Sequence, residues 1–205
     1  METISSNRPK IVVIGSCNTD MVVKANRLPV PGETILGGTF YMNPGGKGAN
    51  QAIAAARLGA EVTFISKIGY DLFGLQALEI YRSEKINTEF IFTDQKSPSG
   101  VALISVDSFG ENSIIVAPGA SRSLSTEDIN KAEEKIKEAD IILMQLEVPI
   151  DTVEYAATIA NRYGKKVILN PAPASTLSNS FLNNVHTILP NRIEAEMLSG
   201  IIAVR

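Results

Sequence analysis

From residue 44 onward, apolar runs of strand length alternate with segments of helical period. That alternation is the mark of βαβ units around a largely parallel sheet. Sheet strands are expected at 11–15, 62–68, 141–146, 167–170 and 187–189, and helices at 47–58, 72–85, 126–139, 150–163 and 192–198. The helix at 126–139 has the clearest signals: Ser125 is placed to cap it with Asp128 three residues on, and Ile129, Ala132, Ile136 and Ala139 recur at helical spacing. The fold class implied is α/β, doubly wound, with a mostly parallel sheet.

Two regions interrupt the alternation. Residues 21–24 with 34–42, and 101–107 with 113–117, read as paired strands joined by turn residues such as Pro31-Gly32 and Gly110-Glu111-Asn112. Both lie in connections between sheet strands, at about 20–43 and 100–118, so they are expected to form a small second β-sheet. A lid over one edge of the main layer and plain antiparallel edge decoration are both open.

The stretch Gly45-Gly46-Lys47-Gly48-Ala49-Asn50-Gln51 runs directly into the small-residue segment Ala52 to Leu58. Glycines let backbone approach a ligand closely, and a helix start leaves N–H donors without partners. The spacing is not that of a Walker A loop, because Tyr41 stands where its first glycine belongs and Gly48 follows the lysine. Nor is there a dinucleotide fingerprint: the run 11–15 continues as Ser16-Cys17-Asn18-Thr19-Asp20.

Composition narrows the classes further. With 205 residues, 44% hydrophobic content and a net charge of −3, the chain reads as an ordinary globular protein without a basic stripe for nucleic acid. Cys17 is the only cysteine, so no intrachain disulfide forms, and its place at the end of an apolar run suits a packing residue. His186 is the only histidine, and no metal cluster or Ser-His-Asp triad is signalled. Residues 1–10 are polar, unlike a signal peptide, and no run reaches membrane-spanning length; a cytoplasmic location is expected.

In an open parallel sheet, ligands bind outside the carboxyl ends of the strands. Polar groups fall there repeatedly: Asn18 and Asp20, Glu147, Asn170, and Asn191 with Glu194. With parallel strands they would meet Lys47 and Asn50 in one crevice. Carboxylates accept from hydroxyls and asparagine both donates and accepts, which suits a polyhydroxylated ligand. Local roles stay open beside this: Asn18 and Asp20 as a turn, Glu147 as a cap of the helix near Ile150, Asn170 as a turn residue before Pro171.

Seven segments together resemble the ribokinase family in order and spacing: Asn18-Thr19-Asp20, Pro31-Gly32-Glu33, Gly45 to Ala52, Gly69-Tyr70-Asp71-Leu72-Phe73-Gly74, Gln145-Leu146-Glu147, Asn170-Pro171-Ala172-Pro173 and Pro190-Asn191-Arg192-Ile193-Glu194. The resemblance covers essentially the whole chain. It implies transfer of the ATP γ-phosphate to the 5-hydroxyl of D-ribose, and a lid that also pairs two subunits as a homodimer. By the same resemblance Asn18, Asp20, Gly46, Lys47, Asn50 and Glu147 hold the sugar hydroxyls. Asn191 and Glu194 help place the phosphates and, through Glu194 indirectly, Mg2+. Gly69, Asp71 and Gly74 match a segment expected to be structural.

The resemblance also implies a Gly-Ala-Gly-Asp segment carrying the general base and anion hole, and no Gly-x-Gly-Asp occurs in the 205 residues. The expectation is therefore a truncated domain, 1–205, that binds sugar but has little or no kinase activity; the base, most of the adenine pocket and any monovalent cation site would lie beyond Arg205. Two other readings stay open: a kinase of another sugar or a nucleoside, such as fructose or adenosine, and a non-enzymatic module that binds sugar or pairs through its lid.

Overall fold

In the computed structural model, which describes residues 8–202, the two kinds of segment separate into two sheets. Most of the polar stretch at the N-terminus, residues 1–7, lies outside the described residues, as do 203–205. The chain enters the core as β1 (Lys10–Ile14), leaves it as β2 (Asn18–Lys24) and β3 (Thr39–Gly45), and returns through α1 (Lys47–Arg57) to β4 (Glu61–Gly69). Next come α2 (Leu72–Ser83) and β5 (Ile91–Asp94), then a second excursion, β6 (Gly100–Val106) and β7 (Asn112–Ala117). A short 3₁₀ turn, Gly119–Ser123, leads to α3 (Thr126–Lys131), α4 (Glu133–Glu138) and β8 (Ile141–Met144). The remaining elements are α5 (Ile150–Arg162), β9 (Lys166–Leu169), α6 (Asn179–Leu182), β10 (Thr187–Ile188) and α7 (Arg192–Ser199).

The larger sheet has the order β10-β9-β8-β1-β4-β5, and every neighbouring pair is parallel. Strand order therefore reverses at β1, which places the switch point between β1 and β8. Alternate side chains of β1 feed two cores. Val12 and Ile14 pack with α3, α4 and α5 residues such as Ile129, Ile136 and Ala156, while Val13 packs with α1 and α2 residues such as Ala52 and Tyr81. Tyr81 stands edge-on to Phe64, with ring centroids 5.4 Å apart. The sheet is thus covered on both faces at β1, as a doubly wound fold requires.

The smaller sheet has the order β3-β2-β6-β7. Each excursion is an antiparallel hairpin, and the two join through β2 and β6, which run parallel. The expected second sheet is present. Its strands begin earlier and later than the sequence reading had them: β2 opens at Asn18, and β3 runs through Met42-Asn43-Pro44 to Gly45.

Three local differences have physical causes. The expected helix 126–139 is divided at Ala132, where φ is −100° and ψ is 5°. There the ladder tightens, with Ala132 N bonded to Ile129 O and Lys135 N to Ala132 O, which keeps Ile129, Ala132 and Ile136 all fully buried. The Ser125–Asp128 capping box forms as read. β5 and α6 were missed because each is four residues long, too short for either period to show. Among the described residues, no helix is long and apolar enough to cross a membrane.

Candidate functional site

The carboxyl end of β1 meets the start of α1 and the end of β8 at the switch point, and a polar cluster forms there. Gly46 caps α1 with φ at +89°, a backbone state that suits glycine. This turn sends the Lys47 N–H to Glu147 Oε2 at 2.9 Å, and Ser16 Oγ donates to the same oxygen at 2.5 Å. Lys47 Nζ stands 3.9 Å from Glu147 Oε1. Glu147 is thus not a cap of the following helix, whose N-cap is Pro149 without a side-chain bond. Asn50 lies three residues after Lys47 on α1, on the same helix face, and is exposed.

Asn18 and Asp20 belong to β2 of the smaller sheet, not to a turn after β1. Residues two apart on a strand share a face, and the register puts Asp20 in one row with Asn43, Ala102 and Val116, and Asn18 in one row with Gly45 and Gly100. The Asp20 carboxylate lies over Gly45, where a β carbon would stand within 2.0 Å of Oδ1. Its pKa is raised, first by loss of solvent and then by the negative charge of Glu147.

A cavity of about 330 Å³ lies between the two sheets, lined by Ser16, Asn18, Val116, Pro118, Arg122, Leu146, Glu147 and Pro173. Its volume suits a small ligand. Asn18 is 6% exposed, and its carboxamide makes no hydrogen bond to the described residues; Oδ1 lies against Gly100, which has no side chain to displace it. Of the lining residues, Ser16, Val116, Pro118 and Arg122 were not picked out from sequence, and Pro173 was named only within a motif. Ser16 stood between the β1 run and Asn18; Val116 and Pro118 come near Asn18 through the pairing of β2 with β6 and of β6 with β7, whereas Pro173 arrives from the segment after β9 in the larger sheet.

Not every strand-end group converges. Asn170 Nδ2 donates to Leu189 O at 3.0 Å, tying the end of β9 to that of β10, and the residue lines a separate apolar groove with Ile11, Leu143 and Ile168. Its reading as part of the crevice is corrected. Asn191 and Glu194 form a reciprocal capping box at the start of α7: Glu194 N–H donates to Asn191 Oδ1, while Asn191 N–H and Nδ2 donate to the two Glu194 oxygens. β10 is three strands from β1, about 14 Å at the usual strand spacing. Cys17 is buried against Tyr81, Sγ to OH 2.9 Å, and burial pushes its pKa up to about 11, so it is a packing residue. Among the described residues, no cluster of three His, Cys, Asp or Glu could hold a metal ion.

Residues 8–202 match the family model described as pfkB family carbohydrate kinase. The chain belongs to this family. Among similar proteins, the ribokinase of Haemophilus influenzae is 45% identical over 194 residues, which are 95% of this chain and 63% of that protein. The deoxyribokinase of Salmonella typhimurium is 40% identical over 191 residues, 93% of this chain and 62% of that protein. A solved structure of the Arabidopsis thaliana ribokinase, complexed with ribose and ATP, superposes with a TM-score of 0.84 at 31% identity, over 97% of this chain and 65% of that one. The chain thus spans a little under two thirds of the length of these relatives.

Proposed function

We propose that these residues form the sugar-binding part of a ribokinase, an enzyme that moves the γ-phosphate of ATP to the 5-hydroxyl of ribose. The observation that carries this reading is the cavity between the two sheets, with Asn18 and Glu147 on its wall and Asp20 two residues from Asn18 on the same face of β2. A buried carboxamide with its hydrogen bonds open is satisfied by a ligand that both donates and accepts. Asp20 and Glu147 accept from hydroxyls, Lys47 and Asn50 donate, and Gly46 keeps the helix start free of side chain. Asn191 and Glu194, at the start of α7 beyond β10, would help place the phosphates. Both Glu194 oxygens already accept from Asn191, so they fit a hydrated Mg2+ through water rather than as direct ligands. Mg2+ would offset charge on the phosphates.

Calorimetric titration with ribose, 2-deoxyribose, fructose and adenosine tests the substrate. Ribose is expected to bind at least about tenfold tighter than 2-deoxyribose, because a missing hydroxyl leaves a buried polar group unpaired. Tighter binding of 2-deoxyribose would move the reading to the deoxyribokinase relatives, and no sugar binding would remove it.

We propose further that the protein is a cytoplasmic homodimer paired through the lid. Phe40, Met42, Leu103 and Ile115 are all exposed on the face of the small sheet opposite Asn18 and Asp20, and an apolar surface of this kind marks an interface. Ile115→Asp is expected to convert dimers to monomers by light scattering. A wild-type chain that is monomeric at the same concentration would end this proposal.

A further inference from the structure

The lid cavity is lined by one set of residues and held in shape by another. Gln145, just past the end of β8, is fully buried, and its Nε2 donates to Gln51 Oε1 at 2.6 Å. Gln51 lies one helical turn after Lys47 on α1, and Gln145 lies two residues before Glu147. The Gln145 Oε1 is buried without a hydrogen-bond partner among the described residues. It sits over Gly15, where a β carbon would come within 2.0 Å of it. A buried acceptor without a partner is costly, so filling space does not account for a glutamine here; a leucine would do that without the penalty.

What the glutamine adds is a directed bond between strand and helix. At this junction α1 approaches β1 with Gly48 against Gly15 and Ser16, closer than any side chain permits. Contact between glycines has no interlocking side chains to stop the helix from shifting along the strand. The Ser16 O to Ala49 N bond, 3.0 Å, ties α1 to β1, and the Gln145–Gln51 bond ties it to β8.

We infer that Gln145 and Gln51 are positioning residues: their amide–amide bond fixes the spacing between Lys47 on α1 and Glu147 beyond β8. The consequence for affinity rests on the sugar-binding reading above, whereas the geometric part stands apart from it.

Amide hydrogen exchange separates the two. Gln51→Leu removes the acceptor and keeps the bulk on the wall of an apolar groove, and Gln51→Glu keeps an acceptor oxygen. In Gln51→Leu the Lys47 amide, which donates to Glu147, is expected to exchange about tenfold faster or more, while Ile142 in β8 is unchanged. In Gln51→Glu the Lys47 amide should exchange as in wild type. A wild-type rate at Lys47 in Gln51→Leu would overturn the inference, as would equal acceleration at Ile142, or exchange in Gln51→Glu as fast as in Gln51→Leu. Ribose titration of the same proteins should show the leucine variant about tenfold weaker. A wild-type chain that takes no ribose would remove the sugar reading, and the exchange rates would still decide the clamp.

Discussion

Asp20→Asn is expected to raise thermal stability at neutral pH while lowering ribose affinity about 100-fold, the scale for loss of a hydrogen bond to a charged group. Burial and the charge of Glu147 raise the Asp20 pKa in the folded protein. The folded state therefore holds this proton more tightly than the unfolded state does. Its contribution to stability is fully present below the ordinary carboxylate range and is lost as pH rises through the raised value. At neutral pH the ionised Asp20 opposes folding, and asparagine removes that opposition at nearly the same shape. Melting curves across pH should show the variant and wild type together in acid and the variant above wild type at neutral pH. Ribose affinity of the wild type should fall as pH drops through the same window, because a protonated Asp20 accepts less strongly from a hydroxyl. Equal melting temperatures at neutral pH, or retained affinity, would show that Asp20 is not held ionised at the sugar site.

Such a group, costly for folding and placed at a cavity, is also why parts of the site were legible from sequence. Asp20, Asn50 and Glu147 are polar residues set beside apolar runs or a glycine-rich helix start, so chain order alone pointed to them. Lys47 was legible because it stands among glycines at the start of a small-residue helix, where backbone can approach a ligand closely. The partners of Asn18 were not legible, since Gly100 and Val116 come near it only when two hairpins far apart in sequence join through β2 and β6. Gln145 drew attention only as part of a motif; its bond to Gln51 spans 94 residues and leaves no periodic trace. The capping box of Asn191 and Glu194 fits the Asn-x-x-Glu spacing as well as a ligand role does, and spacing by itself does not separate them. Fold class was the most legible level, because strand and helix periods each repeat over many residues. The division at Ala132 was the least, because its cause is which carbonyl an N–H selects, not residue type.

Gly48→Ala is the substitution for which local propensity and packing disagree most. Within a helix, alanine is favoured over glycine by about 1 kcal/mol, so propensity alone predicts a more stable protein. A β carbon at Gly48, however, would lie 2.6 Å from the Gly15 carbonyl carbon and 2.7 Å from both Ser16 N and Ser16 O. All three are backbone atoms of the segment that ends β1, and no rotamer change relieves the contact. Overpacking of this kind costs about 1–3 kcal/mol, and more where backbone has to move. Because the obstructing atoms are fixed by β1's pairing on both sides, the upper end applies. The net expectation is a loss of about 2 kcal/mol after the propensity gain, or roughly 4–8 °C in melting temperature for a chain of this size. Ribose binding should weaken in step, since any retreat of α1 carries Lys47 away from Glu147. A variant that melts at or above wild type would mean that α1 has room to move at its N-terminus, and the close approach of helix to strand would then not be what shapes the site.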